Sequence, residues 1–299
     1  MAEAGQDLVA QLEAAVRSQV VSAMGDPSGE LAAMGTDAIL SRWFNWRDRQ
    51  VEPRPRNVHE SSELLCSQEA SDHATELSEI KAEIVAGADL TPRLSNRAQT
   101  AYTPSAAQGP LQHRHDLDLL ISDWGIHHLH LAQAPDRSGL LLFVVFRPDD
   151  AYLVQLLPHG HWSGKSLVEI IMRNWPDAGM LTRLNGAVGL TQNFADSEHQ
   201  MLRQAGLSQL VEIDGAVYMA RPMSLAGMAV DSTRRADQIM RTLHAWRERL
   251  SSDPLALDVL TRSNGFELSG SGAWEPYVYD REFGFREPTT TYLIRVGFL

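Results

Sequence analysis

Through the first ninety residues apolar side chains recur every three or four positions, the spacing that lines one face of a helix. Leu8, Leu12, Ala15 and Val20 mark the first stripe, and Gly25-Asp26-Pro27 stops it. A second helix is predicted over residues 29–48, with Ile39, Leu40, Trp43 and Phe44 on its apolar side, before Pro53 and Pro55. A third is predicted over 61–86, carrying Leu77, Ile80 and Ile84, with Gly87 as its C-terminal stop. Residues 91–112 are rich in Thr, Ser, Gln, Ala and Pro and show no period, so they read as a linker or long loop.

The pattern changes after residue 112. Leu117, Leu120, Ile121 and Trp124 predict a short helix closed by Gly125. Ile126–Ala132 reads as a strand, Leu140–Phe146 as a strand buried on both faces, and Ala151–Leu157 as its return partner across Arg147-Pro148-Asp149-Asp150. Ser163 is placed to cap a helix bearing Leu167, Ile170, Ile171 and Trp175, ended by Pro176. Residues 196–205 and 232–250 read as helices. Val211–Tyr218 reads as a hairpin about Asp214-Gly215, which suits a type I′ turn. Tyr277–Phe285 and Thr289–Phe298 read as paired strands. The expected fold is α+β, with a helical region at 1–90, a linker at 91–112, a central antiparallel sheet flanked by helices at 113–228, and a C-terminal helix and β extension at 229–299.

Composition narrows the class. The chain has 299 residues, 43% of them hydrophobic, and a formal net charge of −12. Such an acidic surface repels a phosphate backbone over most of its area, although a local basic face stays open. Cys66 is the only cysteine, so neither an intramolecular disulfide nor a multi-Cys zinc site is expected. The N-terminal segment lacks the pattern of a secretory signal, and the longest apolar run is seven residues, too short to span a bilayer. A cytoplasmic protein with no membrane association is expected.

The candidate chemistry is histidine chemistry. Seven of the eleven histidines fall between residues 113 and 161. Strand alternation puts His127, Leu129 and Leu131 on one face, and Ile126, His128 and His130 on the other. With the leucines toward the core, His128 and His130 stand roughly 7 Å apart on the opposite face. His159 and His161 follow the third strand, just before a helix that begins near Lys165 and ends near Arg173. RNA cleavage at a 2′-hydroxyl needs a base, an acid and cations around the phosphorane. His128 or His130 with His159 or His161, supported by Lys165, Arg147 or Arg173, fits that demand without a metal.

Two alternatives stand beside it. His113, His115 and Asp116, in the run HRHDLD, form an imidazole–carboxylate cluster able to bind zinc or manganese, which makes a metal-dependent hydrolase or nuclease the second reading. A non-enzymatic binding or regulatory protein, with a protein partner or inhibitor, is the third. Arg42, Arg47, Arg49, Arg54 and Arg56 are interleaved with Trp43, Phe44 and Trp46, types suited to phosphate and bases, so Arg42 and Arg47 are candidate RNA contacts. The same residues also suit a core flanked by a solvated helix face.

The segments WGIHHLHL, LLLFVVFRPDDAYLVQLL and PHGHW, within residues 113–175, resemble the RelE/ParE toxin superfamily. The resemblance covers about 60 of 299 residues. It implies helices packed on an antiparallel sheet and, for RelE-like members, messenger RNA cleavage by positioned basic and His side chains; ParE-like members instead poison gyrase. The helical N-terminal region, the C-terminal β region and the acidic charge depart from such small basic toxins. The segments RWFNWRDR, WGIHHLHL and RNWPDAG are also similar to bacterial proteins, a likeness that implies no activity. The leading expectation is a metal-independent ribonuclease of toxin or phage-defence type.

Overall fold

The computed structural model describes residues 2–133, 139–160, 164–268 and 270–299, with side chains described from residue 8 onward. The chain is α+β, as expected, but its division differs from the expected one. Residues 45–231 form one compact unit, and residues 1–44 with 232–299 form another. Among the described residues no helix is long and apolar enough to cross a membrane.

The 45–231 unit is built on a four-stranded sheet: β1 (Asn57–Glu60), β2 (His127–His130), β3 (Leu140–Phe146) and β4 (Asp150–Pro158), in the order β1-β4-β3-β2. β2, β3 and β4 form the expected antiparallel meander, while β1 pairs parallel with β4. β1 was not expected, because Val58 is its only apolar residue. The predicted helix over 61–86 is three helices, Ser62–Leu65, Gln68–Asp72 and Ala74–Ala86. The hydroxyls of Ser61 and Ser67 accept from Leu64 and Ala70 N–H groups and start the first two.

Both faces of the sheet are buried. Leu129, Leu131, Leu142, Val144 and Leu153 pack with Leu77, Ile80 and Ile84 of the Ala74–Ala86 helix. Ile126, Leu141, Phe143, Val145 and Val154 pack with Leu167, Val168 and Ile171 of the helix Lys165–Asn174. β4 carries a bulge: Phe143 opposes Gln155 while Val144 opposes Leu153, leaving Val154 without a cross-strand partner, and Val154 packs in the second core. The face of His128 and His130 is therefore also the face of a core, whereas only the leucine face of β2 was expected to be one. A smaller sheet of β5 (Thr182–Arg183), β6 (Leu210–Ile213) and β7 (Ala216–Met219) completes the unit. Asp214 and Gly215 both take positive φ, as the type I′ turn requires.

Residues 91–112, expected as a linker or long loop, are mostly irregular but packed into the 45–231 unit, and so form a long loop rather than a linker. Leu90, Leu94, Ala98 and Tyr102 are buried, and the segment contains the helix Asn96–Gln99 and three-residue 3₁₀ turns. Arg93 pairs with Glu83 (2.5 Å) and donates to the Leu131 carbonyl just beyond β2, so it ties this segment to the sheet edge.

In the other unit, Val9, Leu12, Val16 and Val20 of the helix Ala2–Met24 are buried. Leu12 and Val20 belong to the expected stripe, whose remaining members shift by one position. The helix Val230–Ser252 buries Ile239, Leu243 and Leu250, and Trp246 meets Phe285 edge-on at 5.5 Å. The C-terminal β region is three antiparallel strands, β8 (Glu275–Tyr279), β9 (Glu282–Glu287) and β10 (Tyr292–Phe298), because Asp280-Arg281 turns the chain inside the first expected strand.

Gly87 ends its helix at φ +72°, where an added Cβ would lie 2.5 Å from the Pro55 nitrogen and 2.6 Å from the Arg54 carbonyl carbon. Gly87→Ala therefore combines left-handed backbone strain with a clash against main chain. It should cost roughly 1–3 kcal/mol, read as a lower urea midpoint at unchanged m-value.

Candidate active site

β2 sorts its histidines by alternation. His127 lies on the leucine side, edge-on to Phe146 at 5.4 Å, and its Nε2 donates to the Asp48 carbonyl at 3.1 Å. Burial lowers its pKa to about 4, so the ring is neutral near pH 7. His128 and His130 project from the other side and are 7% and 5% exposed. β4 ends at Pro158, and the ladder continues as the His159 N–H donates to the Gly139 carbonyl at 3.1 Å. This brings the His159 ring, at the exposed rim, to 5.5 Å from the His130 ring between centroids.

These three imidazoles line one cavity of about 540 Å³, together with His115, Asp118 and Arg203. Asp118 serves two elements. Its Oδ1 accepts from the Leu120 and Ile121 N–H groups and starts the helix Leu119–Trp124, which Gly125 closes in the left-handed conformation. Its Oδ2 lies 3.8 Å from His128 Nδ1, within ion-pair reach of a protonated ring. Burial lowers the His128 pKa; Asp118 opposes that shift, while His159 and Arg97 reinforce it. His128 is thus a neutral proton acceptor at pH 7.

The cations at this cavity are Arg97 and Arg203. Arg203, on the helix Asp196–Gln204, donates through Nε to Asp123 Oδ2 at 2.9 Å, and its guanidinium lies 4.2 Å from the Trp124 ring centroid. Burial raises the Asp123 pKa against the pull of Arg203. Arg97 donates to the Leu117 and Gln112 carbonyls, each at 2.9 Å. Sequence reasoning missed both arginines and Asp118's contact with His128. The Asp118 position before an apolar helix start was a readable capping signal; the arginines gave none.

The cations expected beside the histidines lie elsewhere. Lys165 and Arg173 line a second hollow of about 340 Å³ with Glu169, Glu212 and Asp214, which shares no lining residue with the first. Lys165 pairs with Glu169 at 3.2 Å, and Arg173 with Glu63. Arg147 donates to the Gly179 carbonyl at 3.0 Å and lines neither hollow. Arg42 donates to the Ala38 carbonyl at 3.1 Å in the other unit, and Arg47 lines neither hollow. Within the same basic segment, Arg49 is buried and donates to the carbonyls of Asn45, Arg97 and Thr100. Burial lowers its pKa to about 10. Arg56 donates to the Arg147 carbonyl at 2.8 Å.

His161 and the proposed cap Ser163 lie outside the described residues; the described helix begins at Lys165 after Gly164. Of the alternative metal set, His115 lines the cavity and His113 is exposed outside it. Asp116 is buried and gripped by Arg114 at 3.0 and 2.7 Å. Among the described residues no three His, Cys, Asp or Glu side chains are grouped to hold a metal ion. Comparison with protein-family models, curated proteins and solved structures finds no match to this chain.

A histidine whose folded pKa lies below its unfolded value binds fewer protons when folded. Its stabilising contribution is complete above about pH 6.5 and is lost as pH falls toward 4. For His127, going from the ordinary 6.5 to about 4, the expected loss by pH 5 is about 2 kcal/mol, and His128 adds in the same direction. Urea unfolding at about pH 7.5 and pH 5 should show this decline. His127→Gln, which keeps a donor for the Asp48 carbonyl, should flatten it.

Proposed function

We propose that this cavity cleaves RNA by metal-independent acid–base chemistry. The observation that carries the reading is the meeting of His128 and His130 from β2 with His159 from the end of β4 in one cavity that also holds Arg97 and Arg203. Neutral His128 takes the 2′-hydroxyl proton, and the freed oxygen attacks phosphorus. The bond from phosphorus to the 5′-oxygen breaks, and that oxygen takes a proton from His159. The products are a 2′,3′-cyclic phosphate and a 5′-hydroxyl. Asp118 stabilises the His128 imidazolium once it forms, and His130, beside His159, passes or shares its proton. Arg97 and Arg203 supply positive charge to the phosphorane. The toxin or phage-defence setting rests on the RelE-like resemblance of Trp124–Trp162.

The purified protein should cleave single-stranded RNA in the presence of chelator, leaving cyclic phosphate ends. His130→Asn or His159→Ala should lower the rate about 100-fold or more with the thermal transition retained. Undiminished cleavage by the folded double variant would sink the assignment. Cleavage abolished by chelator would transfer it to the metal-dependent alternative.

A further inference from the structure

Besides the imidazoles, the Asp118 carboxylate and the Ser95 hydroxyl, the cavity presents guanidinium and carboxamide groups. Arg97 and Arg203 bring positive charge, while Asn96, Gln112, Gln200 and Gln204 bring carboxamides. Gln200 and Gln204 are four residues apart on the helix Asp196–Gln204, so they share a face, and Arg203 is fixed on the same helix by Asp123. Gln112 is held through its own carbonyl by Arg97. Guanidinium and carboxamide groups thus reach the cavity together from two separate parts of the chain, residues 96–112 and 200–204.

The two chemistries suit different parts of a ligand. A phosphate accepts hydrogen bonds and needs donors and positive charge, which arginine supplies. A carboxamide offers a donor and an acceptor side by side, a pattern matched by the edge of a nucleobase. In a duplex the Watson–Crick edge is already paired, so only an unpaired base can offer it. Leu119 and Leu120 give the cavity an apolar patch against which a base plane can lie. A volume of about 540 Å³ falls in the range of small-molecule sites and suits a mononucleotide rather than a helix.

We propose that the cavity is a recognition site for one unpaired nucleotide, with Arg97 and Arg203 on its phosphate and Gln200, Gln204 and Gln112 on its base edge. This rests on the acid–base reading of the same cavity and adds the substrate class and the residues that set base preference. Gln200 and Gln204 are specificity residues and take no part in proton transfer.

Calorimetric titration of the full chain with the four nucleoside 3′-monophosphates and with inorganic phosphate tests this without any cleavage step. At least one nucleotide should bind about tenfold or more tighter than phosphate. Gln200→Ala with Gln204→Ala should erase most of that gap and leave phosphate affinity unchanged. Alanine favours the helix, and an unchanged thermal transition checks the fold. Equal affinity for nucleotides and phosphate, a gap that survives in the double variant, or no binding of either would overturn the proposal. Nucleotide binding without RNA cleavage overturns only the catalytic reading; RNA cleavage with an intact gap in the double variant overturns only the base-reading role.

Discussion

Everything at the candidate site follows from covering the four-stranded sheet on both sides. One covered face would leave the alternate residues of β2 in water, where imidazoles stay near their ordinary basicity. Here Ile126 and Phe143 sit in a second core, and His128 and His130 emerge where that core gives way to the cavity along the edge strand. Desolvation then acts on His127 and His128 alike. His127 spends its donor on a main-chain carbonyl and packs on Phe146, whereas His128 faces a carboxylate and an open volume. Adjacent residues of one strand thus receive opposite uses from the same two-residue alternation.

Holding an open cavity lined with titratable groups beside a dry core needs rigid polar supports. Asp118 anchors a helix start with one oxygen and reaches toward His128 with the other. Asp123 and Arg203 form a buried pair roofed by Trp124. Breaking either half of such a pair strands a charge away from water, so the wall they form is stiff. Arg93, bonded to Glu83 and to the carbonyl of Leu131, does the same for the chain just past β2. In the acid–base proposal, walls of this kind lower the reorganisation needed when charge develops on a bound ester.

Much of this was legible from residue order, and what was not has a physical cause. The meander from Ile126 to Leu157 showed in its apolar runs, and Asp214-Gly215 announced its hairpin. Closure of β3 on β4 is what carries His159 toward β2, so that meeting was foreseeable in outline. β1 was hidden because it is mostly half-exposed and has one apolar residue. The stretch 91–112 read as a linker or long loop because Thr, Ser, Gln and Pro dilute its few apolar residues, although Leu94, Ala98 and Tyr102 recur every four positions and are buried. Arg97 and Arg203 reach the cavity through contacts between distant parts of the chain, which spacing does not encode. Lys165 and Arg173 were near the histidines only along the chain; in space, carboxylates claim them.

The 45–231 unit is one uninterrupted stretch, while the other unit is assembled from two stretches, 1–44 and 232–299. This sets an order of events at the ribosome. Once residue 231 has cleared the exit tunnel, all of the contacts within the 45–231 unit can form. The helix Ala2–Met24 shares its unit with residues 232–299, so its buried valines gain their full surroundings only after those residues are made. During that interval those valines are a surface open to chaperones, and the histidine cavity is complete before the protein that carries it.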